Sequence, residues 1–85
     1  MKYKVILLPR AEKALDKLSA KLRMEILIRI KRLEDDPRPP NVKKMKGRNN
    51  EWRIRYSKYR IVYEIHDDRL LVNIIEIDHR KDIYR

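Results

Sequence analysis

The chemistry of this sequence is concentrated in arginines at alternating positions. Trp52–Tyr56 reads WRIRY and Tyr59–His66 reads YRIVYEIH. A two-residue turn at Ser57-Lys58 sets Arg55 opposite Arg60 and Arg53 opposite Val62. Period two then places these guanidinium groups together on one face of a sheet. Like charges directly opposed cost a few tenths to about 1 kcal/mol. Such a pair makes sense where an anion belongs between its members, and guanidinium forks match phosphate oxygens well. The alternative is the solvated polar face of a basic protein. Neighbouring cations extend the patch: residues 43–60 hold Lys43, Lys44, Lys46, Arg48, Arg53, Arg55, Lys58 and Arg60 against a single acid, Glu51.

Groups able to move a proton are scarce. As an imidazole, His79 is the best general acid or base on offer, although an exposed imidazole in a charged tail needs no role. Glu64 is the second candidate, two residues beyond Val62 on the predicted arginine face. Arg80 is a further cation. Tyr84 either pins the terminus by packing or stacks on a nucleobase. The absence of cysteine removes thiolate metal sites, disulfides and thiol nucleophiles. His66 and His79 lack a recognisable zinc spacing, so no metal is expected. Gly47 is the lone glycine, too few for phosphate loops or dinucleotide turns, and no cofactor is expected.

The 85 residues carry a formal charge of +10. That balance favours polyanionic partners such as nucleic acid, the ribosome or an acidic protein. The chain is too apolar, at 42%, and too regularly patterned for a disordered tail. It reads as one domain over 1–85 with a thin core and marginal stability. No apolar run approaches the ~18 residues of a membrane span, and no signal-peptide core is evident, so a cytoplasmic location is expected. Neither predicted helix pairs a strongly basic face with bulky aromatics, so a membrane-surface role is not expected.

These groups must be positioned by a small α+β fold. A strand over Tyr3–Leu8 ends at Pro9. A helix from about Arg10 to Leu18 aligns Ala11, Ala14, Leu15 and Leu18. Ser19 caps a second helix, from about Ala20 to Asp35, with Leu22, Ile26, Ile30 and Leu33 within roughly 80° of arc. Met24 and Ile28 lie off that stripe and point away from the core. The prolines at 37, 39 and 40 force an extended connection. A basic loop or short edge segment follows, with Val42 and Met45 facing inward. Three strands then form an antiparallel meander: Trp52–Tyr56, Tyr59–His66 and, after a turn at Asp67-Asp68, Arg69–Asp78. The order is β-α-α-β-β-β, with the helix pair on the face of Trp52, Ile54, Tyr56, Tyr59, Ile61, Tyr63 and Ile65. The same register places Leu71, Asn73, Ile75 and Ile77 on the arginine face. The remaining tail forms a helical turn or a lid.

The sequence resembles the RelE/ParE superfamily of bacterial and archaeal toxin–antitoxin toxins. The likeness rests on Lys46-Gly47, on Trp52-Arg53-Ile54-Arg55-Tyr56, on Tyr59-Arg60-Ile61-Val62-Tyr63-Glu64-Ile65, and on the ending His79-Arg80-Lys81-Asp82-Ile83-Tyr84-Arg85. The resemblance covers nearly the whole chain. It implies, for the RelE-like branch, a toxin that cleaves mRNA in the ribosomal A site and is neutralised by a cognate antitoxin wrapping its surface. Cleavage in that branch needs no metal: the ribose 2′-OH attacks the adjacent phosphate and leaves a 2′,3′-cyclic end. By position, Arg53 and Arg55 match basic residues of the active face, and Arg60 matches the arginine holding the scissile phosphate. Arg80 matches the arginine near the leaving 5′ oxygen, and Tyr84 matches an aromatic that stacks on the substrate. Lys44, Lys46, Arg48 and Arg53 form the accompanying RNA-binding patch.

One departure matters. Some members have lysine where Arg55 stands, proposed there to take the 2′-OH proton, and arginine is a poor proton acceptor. The base is then His79, Glu64 or none. Other functions remain open: a ParE-like inhibitor of DNA gyrase on the same fold, or a non-catalytic RNA- or ribosome-binding module.

Overall fold

Pro9 ends one element and begins the next. The computed structural model describes residues 2–47 and 50–79. Strand β1 (Lys4–Leu7) stops short of Pro9, which opens helix α1 (Pro9–Asp16) where its missing N–H costs nothing. Helix α2 (Ala20–Arg32) begins at Ser19, whose hydroxyl accepts from the Leu22 N–H at 3.3 Å, as the sequence predicts. Both helices end earlier than expected. The chain after α2 closes into tighter turns, with Leu33 N–H donating to Ile30 O at 3.1 Å and Glu34 N–H to Lys31 O at 3.1 Å.

The basic segment contributes a two-residue strand, β2 (Lys43–Lys44), before β3 (Glu51–Tyr56), β4 (Tyr59–His66) and β5 (Leu71–His79). The sheet order is β1-β5-β4-β3-β2. The helix pair carries the chain from β1 across to the far edge, and the antiparallel meander returns it. β5 therefore arrives beside β1 in the same direction, and that pair is parallel. The sheet is mixed rather than wholly antiparallel.

The first hairpin has the expected register, with Tyr56 opposite Tyr59 and Arg55 opposite Arg60. Ser57 takes φ 57° at the first turn position, a conformation more often given to glycine. Ile54, Ile61, Tyr63 and Ile65 face the helices and pack with Ala11, Leu15, Ile26, Ile30 and Leu33; Trp52, Tyr56 and Tyr59 border this core. Val42 packs at its edge and Met45 is half-buried.

The second hairpin departs from expectation. A single 3-10 turn (Asp67–Arg69) and Leu70 in the left-handed region replace the two-residue turn, and the last strand starts at Leu71. The two extra loop residues preserve side-chain parity, so Leu71 and Asn73 share the pleat side of Glu64 and His66. A bulge opposite Val62/Tyr63 then inserts Ile75 and flips the parity beyond it. Ile77, expected on the arginine face, is 4% exposed in the core opposite Ile61, and Glu76 and Asp78 take the positions opposite Val62 and Arg60.

Polar clasps tie the proline segment to the sheet. The buried Tyr63 hydroxyl donates to Pro37 O at 2.8 Å. Asp67 accepts from Tyr3 at 2.6 Å and from both Arg38 amino groups at 3.2 and 2.7 Å. Hydrogen bonds from Arg38 and then Tyr3 hold the Asp67 carboxyl down at about 2. No helix among the described residues is long and apolar enough to cross a membrane.

Candidate functional site

Cations from adjacent strands converge on the sheet face away from the helices. Arg53 and Arg55 stand on β3; Lys43 of β2 pairs with Arg53, and Arg60 of β4 pairs with Arg55. Asn41, Lys43, Arg53 and Arg55 line a groove of about 130 Å³. A wider hollow of about 500 Å³ continues along Lys43, Lys44, Met45, Lys46 and Arg53. Arg55 is exposed and Arg53 half-buried. The buried Arg53 Nε has no hydrogen-bond partner among the described residues. An unmet buried donor costs about 1–3 kcal/mol, a cost that an anionic oxygen in the groove would remove.

Arg60 differs from expectation. It is 4% exposed rather than open to solvent. Its strand is central in the sheet, with Arg55 of β3 directly opposite on one side and Asp78 of β5 on the other. Arg60 thus forms the floor of the cationic face, and Arg53, Arg55 and Lys43 form its accessible surface.

The far end of this face is chemically different. The Glu64 Oε1 accepts from Asn73 Nδ2 at 3.3 Å and lies 3.4 Å from His66 Nε2. Glu51 stands opposite Glu64. Glu64 lies four residues along β4 from Arg60, about 13 Å. Glu64 is therefore nearer Arg53 than the Arg55–Arg60 pair.

Other predicted residues do not join this cluster. His79 pairs with Tyr59 and packs edge-on against its ring at 5.2 Å, on the helix side of the sheet. There it lines a cleft of about 380 Å³ with Arg10 and Lys13 of α1 and Lys17 just beyond it. Lys44 pairs with Trp52, and its Nζ sits 5.5 Å from that ring; it borders the wider hollow but not the Arg53–Arg55 groove. Lys46 is exposed at the rim of the wider hollow. Arg48, Arg80 and Tyr84, with the tail expected as a helical turn or lid, lie outside the described residues.

Lys43 was legible only as one of many cations, since a two-residue strand has no pattern to reveal its facing. His66 could have been found by period two, because it alternates with Glu64 on β4. Asp78 opposite Arg60 was hidden by the bulge. Among the described residues, no group of His, Cys, Asp and Glu could hold a metal ion. The face can bind a polyanion and stabilise negative charge that develops on a phosphate. Its imidazole–carboxylate pair sits apart from the guanidinium cluster.

Similar architecture occurs in known toxins. A chain of the archaeal RelE–RelB complex from Pyrococcus horikoshii matches with a TM-score of 0.84 at 26% identity, over 94% of this chain and 97% of that one. The isolated E. coli RelE toxin matches with a TM-score of 0.79 at 26% identity, over 96% and 90%. The RelB–RelE antitoxin–toxin complex from Methanococcus jannaschii gives 0.76 at 27%, over 93% and 94%. Comparison with curated proteins finds no significant match. The family model for the ParE toxin of type II toxin–antitoxin systems, parDE, matches residues 5–84. With a RelE-like fold and a family match spanning almost its full length, the chain belongs to the RelE/ParE superfamily of type II toxin–antitoxin toxins.

Proposed function

We propose that this toxin is a ribosome-dependent endoribonuclease that cleaves mRNA in the A site. The observation that carries the reading is the Lys43–Arg53–Arg55–Arg60 cluster, with a buried Arg53 donor lacking an acceptor in an open groove. In the reaction, the 2′-oxygen forms a bond to phosphorus, the P–O5′ bond breaks, and a 2′,3′-cyclic phosphate remains. The 2′-OH loses its proton and the departing 5′ oxygen gains one. Negative charge grows on the phosphoryl oxygens, and donors already fixed in place stabilise it without reorganisation. Arg55 and Arg53 meet the phosphate, Arg60 supports them from the floor, and Arg80 and Tyr84 act at the leaving oxygen and the base. Removing one such donor should slow cleavage about a hundredfold.

The proton acceptor is assigned to no residue of the arginine cluster. His79 lies on the other side of the sheet, and Glu64 is already engaged with Asn73. The shallow groove suits a substrate whose surroundings complete the site. A cognate antitoxin and the ribosome are accordingly the protein's partners in this reading. Solved RelE toxins bound to RelB support the first of them.

The test is induction in a host cell with mapping of transcript 5′ ends, for wild type, Arg55→Ala, Arg60→Ala and Arg80→Ala. Cuts within translated codons that vanish in the variants are expected. Growth arrest with intact transcripts would overturn the reading. The ParE family match favours one alternative, gyrase inhibition. Loss of supercoiling in vitro with intact transcripts would establish it.

A further inference from the structure

The narrower groove on the sheet face has one lining side chain that is not a cation. Lys43, Arg53 and Arg55 form most of its wall, and Asn41 completes it. Lysine and arginine side chains only donate hydrogen bonds, whereas a side-chain amide also carries an acceptor oxygen. Among the described residues, Asn41 Oδ1 is thus the one side-chain acceptor lining that groove. Glu76 and Asp78 line the cleft beside α1, and Glu64 is engaged by Asn73 and borders His66.

The chain fixes Asn41 from both sides. Val42 N–H donates to Pro39 O at 3.0 Å, closing a turn with Pro40 and Asn41 at its centre. Proline presets the first of these two positions. Upstream, the Tyr63 hydroxyl on Pro37 O and the Arg38–Asp67 pair pin the segment to the sheet. Downstream, Val42 packs on the core and Lys43 enters β2 opposite Arg53. Asparagine suits the turn, but the turn does not use its exposed amide, which hydrogen-bonds to no other described residue.

We propose that Asn41 receives the ribose 2′-OH at the cut and aims it at the phosphate. The inference rests on the endoribonuclease reading above. With the phosphate on Arg53 and Arg55, the attacking hydroxyl must direct its proton away from the cations and toward an acceptor. Asn41 Oδ1 is the acceptor at hand, and a hydrogen bond to it turns an O2′ lone pair toward phosphorus. An amide oxygen keeps no proton at neutral pH, so Asn41 orients the nucleophile and is not its base. As the O2′–P bond forms, the proton passes to solvent water; as the P–O5′ bond breaks, its electron pair stays on the 5′ oxygen, which takes up a proton. The amide nitrogen is left to donate to a phosphate oxygen, alongside the guanidinium groups.

The test is single-turnover cleavage of mRNA on programmed ribosomes by the full-length toxin and by Asn41→Ala, Asn41→Lys and Asn41→Asp. The position is exposed, and thermal melts verify that each variant folds. At saturating toxin, Asn41→Ala should cut about ten- to a hundredfold more slowly, the scale of a misdirected nucleophile. Its half-saturating concentration should stay within about threefold of wild type, because the phosphate contacts remain. Asn41→Lys should be as slow as Asn41→Ala, although it adds a cation. Asn41→Asp keeps an acceptor oxygen and should be the fastest of the three variants. Asn41→Lys at the wild-type rate would mean that the groove needs only charge there, and it overturns the inference. Asn41→Ala within about twofold of wild type overturns it as well. So does an Asn41→Ala that keeps its rate but cuts at other sequences, which makes Asn41 a reader of bases. These three outcomes leave the endoribonuclease reading standing, whereas wild type that cuts no mRNA on ribosomes overturns both.

Discussion

Reversing the charge of Arg55 should stabilise the fold and abolish the activity. Arg55 lies directly opposite Arg60, with Lys43 and Arg53 on the same face. A like-charged cross-strand pair costs about 0.2–1 kcal/mol relative to neutral residues, and an opposite pair gains a similar amount. Arg55→Glu therefore swings the interaction by about 0.4–2 kcal/mol. Arg55 is exposed, so solvent screening places the effect in the lower half of that range, about 0.5–1 kcal/mol. For a domain of 85 residues, 1 kcal/mol moves Tm by about 4–8 °C, so a rise of about 2–8 °C is expected at low salt. Arg55→Ala should give roughly half. Near 1 M salt, where the Debye length is about 3 Å, most of the gain should vanish. Cleavage should fall at least about a hundredfold, since a carboxylate repels the phosphate that the guanidinium attracts. The assay is paired: thermal unfolding at low and high salt, and transcript cleavage after induction. An unchanged or lowered Tm at low salt would refute the claim that the cationic face is held at a cost to stability. Cleavage retained in a stabilised variant would remove Arg55 from the site.

Other perturbations test the scaffold. Tyr63→Phe leaves the Pro37 carbonyl without its 2.8 Å donor inside the core and should cost about 1–2 kcal/mol, read as a lower denaturant midpoint with an unchanged m-value. Ile61→Ala, at a site with 0% exposure, should cost about 2–5 kcal/mol and leave a domain this small partly unfolded at 37 °C; a loss under 1 kcal/mol would show that the core collapses around the gap. The Asp67 carboxyl is lowered from 3.8 to about 2 in the folded state, so its stabilisation is fully present above pH ~4 and is lost as pH falls toward 2. Asp67→Asn should accordingly show a shallower fall in denaturant midpoint between pH 5 and 2 than wild type, and parallel curves would refute the clasp.

Much of the fold was legible because burial and period coincide. Ile54, Ile61, Tyr63 and Ile65 alternate with Arg53, Arg55, Arg60 and Glu64, so only one facing of the first hairpin keeps those charges from under the helices. Ser19 marked the start of α2 by supplying an acceptor to a free helix N–H, and the outward Met24 and Ile28 followed from their angle to the core stripe. The second hairpin was less legible. Leu70 holds a left-handed conformation for which leucine carries no signal; its carbonyl accepts from the Lys4 N–H at 2.8 Å, a contact far away in sequence. The bulge is equally silent, because Ile74, Ile75 and Ile77 suit either face by composition. Arg60 was misjudged for a different reason. Alternation gives the side of the sheet on which a residue lies, but its exposure depends on the flanking strands and on their long side chains.

The placement of titratable groups bears on how the proposed reaction is accelerated. Proton transfer by a side chain typically contributes about 10²–10⁴-fold and requires hydrogen-bond reach of the 2′-OH. The imidazoles of the described chain are elsewhere: His79 against Tyr59 on the helix side, and His66 beside Glu64 at the far end of the face. Where the guanidinium groups gather, permanent cations and Asn41 line the groove, and the one carboxylate beside them is the half-buried Asp78 opposite Arg60. Such a site contributes most through charge already organised around the phosphorane and through alignment of the 2′-oxygen with the P–O5′ bond. Alignment alone can be worth several orders of magnitude. In the proposed reaction a translating ribosome would hold the mRNA extended and threaded, and so supply much of that alignment. A small domain without a deep pocket can then complete the site by adding fixed positive charge, which is what the like-charged Arg55–Arg60 pair maintains against its own repulsion.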